Sequence, residues 1–215
     1  EGRKLRLRPV EEVVAEISRV SRLLSPRCFE FIDSVFNIPE EYALRLCEEL
    51  IRAGPRARFT AMGINPQRLS AELLALMRRA GFNALMVTPE SASDQVLARM
   101  RKGFGREEVI RAAELIRAVG IPSLWFFMLG APGETEATAE ETISFAEEHL
   151  AFPDCLPVFT TGVRILPGTE LAGQAVTDGY LRPDQDLTES LFYFSPQVSE
   201  QKLLARVNRA IARCP

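Results

Sequence analysis

The chain has 215 residues, 47% of them hydrophobic and 26% charged, with a formal net charge of −3. That size and balance suit one globular domain, or one and a half, and exclude disorder, fibrous repeats and a large multidomain assembly. The slight acidity argues against a nucleic-acid partner and supplies no polybasic membrane patch.

The longest apolar run, Leu124–Leu129, falls far short of the roughly 20 residues that cross a bilayer. The basic start, Glu1-Gly2-Arg3-Lys4, has no apolar stretch of the signal-peptide kind behind it, so a cytoplasmic protein without a membrane span is expected. Cys28, Cys47, Cys155 and Cys214 are scattered, none in CxxC spacing, and His149 is the single histidine. The residues therefore offer no four-ligand metal site and no imidazole-based catalytic set.

In chain order, the first helix is expected over Val10–Leu24, where Val10, Val13, Val14, Ile17, Val20 and Leu24 recur at three- and four-residue steps behind Pro9. A short strand, Phe29–Asp33, follows, then a helix over Pro39–Ala53 stopped by Gly54-Pro55. Arg58–Met62 reads as strand and Ser70–Ala80 as helix, with Ser70 as N-cap and Gly81 as stop. Ala84–Val87 is the third strand, with helices over Asp94–Met100 and Arg106–Val119 behind it. Ser123–Leu129 is unbroken in its hydrophobicity, as a strand covered on both faces requires. A helix over Thr135–Leu150, a strand over Val158–Ile165 and a short helix over Glu170–Asp178 come next. Tyr180–Pro196 reads as irregular, and Val198–Arg213 as a closing helix.

Five strands, each followed by helix, predict an α/β fold with a parallel sheet, either open and doubly wound or an arc of a TIM barrel. In both, ligands meet the carboxyl ends of the strands. Those positions hold Asp33, Gly63-Ile64-Asn65, Thr88-Pro89-Glu90-Ser91, Gly130-Ala131-Pro132-Gly133-Glu134, and Arg164 with Pro167-Gly168-Thr169. Gly130 and Gly133 allow backbone conformations closed to other residues, and Glu134-Thr135 opens a helix. Taken singly, each has an ordinary structural explanation: a tight turn for the glycines, a helix N-cap region for Glu90, a solvated surface for Lys102. Lys102-Gly103-Phe104-Gly105 follows no strand and lacks the third glycine of a dinucleotide fingerprint.

Read in order, the words resemble the radical S-adenosylmethionine superfamily, in its cobalamin-associated and methylthiotransferase-like branches. The matching words run Phe29-Glu30-Phe31-Ile32-Asp33-Ser34-Val35-Phe36, Leu73–Gly81, Pro89-Glu90-Ser91-Ala92-Ser93, Met100-Arg101-Lys102-Gly103, Gly130-Ala131-Pro132-Gly133-Glu134-Thr135 and Leu166-Pro167-Gly168-Thr169-Glu170-Leu171. The resemblance implies a partial (β/α) TIM barrel over residues 1–170, here with about five strands and the first barrel strand missing. A helical and irregular extension over 171–215 would pack on it. It implies S-adenosylmethionine as cofactor, and a 4Fe–4S cluster held by three cysteines in a CxxxCxxC loop, with reductive cleavage of S-adenosylmethionine to a 5′-deoxyadenosyl radical. In the cobalamin branch it also implies cobalamin in an upstream domain and methyl transfer. Soft thiolates with one open coordination position suit that cluster.

This sequence contains no such loop, so the resemblance admits two origins: a core piece of a larger enzyme, inactive alone, or a relative that has lost its cluster and serves as a binding or scaffold domain. A generic α/β sugar-phosphate enzyme has only the strand cadence in its favour. Site roles carry over singly. Glu90, with Ser91 beside it, matches the acidic position reaching toward ribose or methionyl groups, and Lys102 the basic residue meeting the methionyl carboxylate. Gly130, Pro132, Gly133 and Glu134 match the turn backing the adenine, and Asp33 the acid near the methionyl amine. Three departures stand against a standard site: Thr88 in place of a glycine, Ser34 in place of a second acid, and no Arg-Asp pair around Gly63–Asn65. The implied partner is a small-molecule substrate. The strand at Phe29–Asp33, left as a parallel edge, is expected to promote dimerisation.

Overall fold

The computed structural model describes residues 5–211. Its elements are α1 (Val10–Leu24), β1 (Cys28–Phe31), α2 (Glu40–Ala53), β2 (Arg58–Ile64), α3 (Ala71–Ala80), β3 (Phe82–Glu90), α4 (Asp94–Arg99), α5 (Arg106–Val119), β4 (Ser123–Leu129) and α6 (Glu136–His149). They continue with β5 (Cys155–Thr161), β6 (Val163–Arg164), α7 (Glu170–Thr177), β7 (Phe192–Tyr193) and α8 (Glu200–Ile211). Strands β1 to β5 form one parallel sheet in the order β1-β2-β3-β4-β5. Strands neighbouring in sequence and joined through helices are what successive βαβ units produce. This is the α/β sheet that the alternating pattern predicts, an arc rather than a closed barrel.

Three readings need correction. β3 extends beyond Ala84–Val87 in both directions, because Asn83 and Pro89 look like strand breakers but sit at its ends. The strand expected over Val158–Ile165 is two, β5 and β6, parted at Gly162 by a positive φ of 77°. The stretch read as irregular contains β7, which pairs antiparallel with β6 through Val163–Tyr193 and Arg164–Phe192. Cys214, Arg213 at the expected end of the closing helix, and Glu1–Lys4 lie outside the described residues.

Contacts divide the chain into two compact units. The first comprises Glu1–Thr88 with Arg111–Leu124. In it α1 buries Val10, Val14 and Ile17, the stripe its periodicity predicts. β1 and β2 pair from Cys28–Arg58 to Phe31–Ala61. Phe29, Phe31, Phe36, Phe59 and Phe82 form an aromatic cluster with centroids 5.3 to 6.0 Å apart, the separation at which rings attract beyond their buried area. After β1, buried Asn37 ties two loops together. Its Nδ2 donates to the carbonyls of Asn65 and Arg68, each at 2.8 Å, and its Oδ1 accepts from Asn65 N at 2.8 Å.

The second unit comprises Pro89–Ile110 with Trp125–Pro215. Trp125 and Phe127 of β4 are buried against Phe145 of α6, at 6.4 and 5.9 Å between centroids. α8 lays Leu203, Val207 and Ala210 against Ala139 and Ile143 of α6. At the margin of that seam Arg206 clamps Glu140 and Glu147, with contacts of 2.7 and 2.6 Å. A smaller core of Ile165, Ala175, Leu181 and Tyr193 lies under α7, where Tyr193 Oη donates to Asp178 at 2.8 Å.

Candidate cofactor-binding site

β3 ends on Glu90, whose φ of 68° lies in the left-handed region that side-chain-bearing residues seldom adopt. Such strain persists only where surrounding contacts hold it. They do so here. Behind Glu90, Ser91, Ala92 and Ser93 are buried and tied to α6: Ser91 Oγ and Thr142 Oγ1 lie 3.1 Å apart, and Ala92 N donates to Thr142 Oγ1 at 3.1 Å. Ser93 N donates to Ser91 Oγ, also at 3.1 Å.

α4 then runs for six residues and closes in a reversal in which Arg101 (φ 54°) and Gly103 (φ 75°) are left-handed. That reversal returns Lys102 to the strand end, where its Nζ lies 2.9 Å from the Glu90 carboxylate. Both side chains are mostly covered, at 19% and 29% exposure, so water screens the pair less than one on the open surface. Lys102 Nζ also stands 5.7 Å from the centroid of Phe104.

The second half of the site is the turn after β4. Ala131 O accepts from Glu134 N at 3.0 Å, with Pro132 second and Gly133 (φ 75°) third, the residue types a type II turn favours. Glu134 is fully buried and folds back into this turn, Oε2 accepting from the N–H groups of Gly130 and Ala131. Burial pushes its carboxyl up to about 7, against the lowering effect of those two donors. Its Oε1 is buried with no hydrogen-bond partner among the described residues. Glu134 thus braces the turn from inside. Thr135 and Thr138 cap α6 reciprocally directly behind it.

Gln95 joins the two halves, its Nε2 donating to Gly133 O at 3.2 Å. Glu90, Ser91, Lys102, Gly130, Pro132, Gly133 and Glu134 all fall in the second unit. Asp33 falls in the first, exposed just beyond β1. There a Cβ on Gly63 would come within 2.5 Å of Asp33 O and 2.6 Å of Ser34 O, so only glycine permits that approach. Sequence reading missed Gln95, Thr142 and Asn37. Their polar atoms act across 28 to 51 residues of chain, and no local pattern marks such partners.

The arrangement offers a cation and an anion at one strand end, joined through α4 to a backbone turn whose glycines admit the close approach of Phe194 at Gly130 and of the Arg99 side chain at Gly133. The pair suits the amino-acid end of a zwitterionic ligand, and in that respect the residues fit the methionyl group of S-adenosylmethionine. They do not fit an iron–sulfur cluster. Cys28 is exposed in β1, Cys47 is buried with its thiol pushed up to about 12, and Cys155 opens β5. Among the described residues no group of three or more His, Cys, Asp or Glu side chains could hold a metal ion. Nor is any helix there long and apolar enough to cross a membrane.

The chain resembles several solved structures. The radical S-adenosylmethionine methyltransferase TsrM from Kitasatospora setae, solved with cobalamin and a [4Fe–4S] cluster, matches with a TM-score of 0.76 at 20% identity, over 94% of this chain and 47% of that one. The cobalamin-dependent S-adenosylmethionine radical enzyme OxsB matches with a TM-score of 0.69 at 15% identity, over 94% and 36%. Coproporphyrinogen III oxidase (HemN) from Escherichia coli, a radical SAM enzyme, matches with 0.56 at 14%, over 94% and 45%. This chain therefore spans less than half the length of each. No curated protein matches the sequence. At these identities the likeness speaks for the fold, and the family rests on sequence: the model of the radical SAM superfamily matches residues 1–146, about two thirds of the chain. The chain belongs to the radical SAM superfamily.

Proposed function

We propose that this chain is the S-adenosylmethionine-binding core of a radical S-adenosylmethionine enzyme of the cobalamin-associated branch, whose cluster-bearing loop lies elsewhere in a longer protein. The observation that carries the reading is the covered Glu90–Lys102 pair, linked within one unit to the Gly130–Glu134 turn through Gln95. With no ligand the two charges satisfy each other. A bound methionyl group splits the pair: its carboxylate takes the Lys102 ammonium, a compact donor suited to it, and Glu90 turns to the ribose hydroxyls. Backbone groups of the turn lie on the adenine side. A 4Fe–4S cluster would have to be held by thiolates outside these residues, where it would supply an electron, and no step through it is assigned to this chain. This chain's residues bind the ligand, orient it and exclude water, and without the thiolates they are inactive in that chemistry. Methyl transfer with cobalamin in an upstream domain is the reaction we assign to the whole protein, on a small-molecule substrate in the cytoplasm.

The edge of β1 belongs to the same reading. Beside it lies a groove of about 410 Å³ between α1 and β1, lined by Val13, Ile17, Phe29, Phe31 and Tyr42 among others. A further strand of the longer protein would occupy that edge. The isolated chain would pair there with itself.

Calorimetric titration with S-adenosylhomocysteine tests the site. One saturable site per chain is expected, with affinity at least tenfold weaker in Lys102→Met and in Glu90→Ala. A cluster-less scaffold domain predicts no binding, and that result overturns the proposal.

A further inference from the structure

The turn after β4 is shaped from outside by a segment that the family match does not reach. Ser195 lies 61 residues beyond Glu134, outside residues 1–146, and is 1% exposed. Its N–H donates to Gly130 O at 2.9 Å, and its hydroxyl donates to Glu134 O at 2.7 Å. One residue therefore holds the carbonyls at both ends of the turn. Phe194 packs against Gly130, so close that a Cβ there would come within 2.4 Å of the ring. Ser195 is itself fixed in place: its carbonyl accepts from Val198 N at 3.2 Å and its Oγ from Gln197 N at 3.4 Å, at the approach to α8.

These contacts close a frame. Glu134 braces the turn from within, Gln95 holds Gly133, and Ser195 sets the distance between its ends. A peptide turn with both end carbonyls fixed has few ways left to shift, which is the condition for a precise binding wall. We infer that Ser195 is a positioning residue for the adenosyl wall of the site, so that the segment around β7 and the start of α8 is part of the binding machinery. This inference rests on the reading of Glu90, Lys102 and the turn as an S-adenosylmethionine site.

The experiment is a titration of the full chain and two variants with S-adenosylhomocysteine, each well below its melting temperature. Ser195→Ala removes the hydroxyl donor, and its affinity should fall about fivefold, the equivalent of one ordinary hydrogen bond. Arg206→Met loosens α8 from α6 without touching the turn, and should bind as the unaltered chain does. Equal losses in both variants would reduce Ser195 to a general stabiliser, and unchanged binding in Ser195→Ala would overturn the inference while leaving the site intact. Failure of the unaltered chain to bind would overturn the site reading, and the inference with it. A second readout needs no variant. On ligand addition, amide exchange should slow at Ser195 N–H together with Gly130 and Ala131 N–H. Slowing at the turn without Ser195 would contradict the inference even if Ser195→Ala did not fold.

Discussion

β1 and β4 belong to the same sheet yet live under opposite conditions. β1 has four residues, alternately exposed and half-buried, and Ile32 just beyond it is 76% exposed. β4 has seven, every second one buried, and ends in a turn held by Glu134, Gln95 and Ser195. Its carbonyls are in use even at the end: Leu129 O accepts from Gly162 N at 2.7 Å and Phe127 O from Thr160 Oγ1 at 3.3 Å. The difference teaches where each kind of function can reside. A ligand wall of the kind proposed needs a held backbone, and the turn after β4 has its end carbonyls and its first amides hydrogen-bonded. β1 offers unpaired backbone and apolar side chains, the properties of a surface awaiting another strand.

The sharpest way to break this comparison is truncation in each strand. Phe127→Ala in β4 should cost about 4 kcal/mol, because the ring is fully buried against Phe145 and Phe159 and leaves a cavity. Phe29→Ala in β1 should cost about half as much, since that ring is partly exposed. Equal losses by chemical denaturation would mean that β1 is not an edge.

The next effect is pH dependence from Glu134. Its folded carboxyl is raised from 4.5 to about 7, so between those values the folded chain holds a proton that the unfolded chain has released. The contribution is present in full below pH 4.5 and is lost as pH rises toward and through 7. Stability should fall by an amount on the order of 3 kcal/mol across that window. Glu134→Gln, which cannot ionise, should remove this slope, and a slope that persists would assign it to another group.

Smaller still is the α6–α8 seam. Arg206→Met should cost about 1–2 kcal/mol, because the guanidinium is only 20% exposed and engages two carboxylates. The least effect on stability belongs to Ile32→Lys, within about 0.5 kcal/mol for so exposed a residue. It should nevertheless abolish concentration-dependent self-association in sedimentation, by placing a charge beside the strand edge. A clean monomer before substitution would contradict the account of β1.

Much of the fold was legible because it is written in local periodicity. α1, α5 and β4 carry uninterrupted patterns, and their observed bounds coincide with the expected ones. β7 was not legible, since two residues set shortly before Pro196 show no period, and their pairing with β6 depends on residues 28 and 30 positions away. The candidate site divides in the same way. Glu90 and the glycine turn stand at strand ends, where topology alone directs attention, whereas Lys102, which follows α4, is marked only by the family resemblance. The inward fold of Glu134, the left-handed backbone of Glu90 and the clamp by Ser195 are products of packing. Each depends on a partner that short-range spacing does not reveal.

The most direct test is an amide and side-chain NMR map of the chain titrated with S-adenosylhomocysteine. The account predicts perturbation at Glu90, Lys102, Gly130–Glu134 and Ser195, with the Lys102 Nζ signal leaving its Glu90-paired position. Perturbation confined to the α1–β1 groove, or none at saturating ligand, would contradict it.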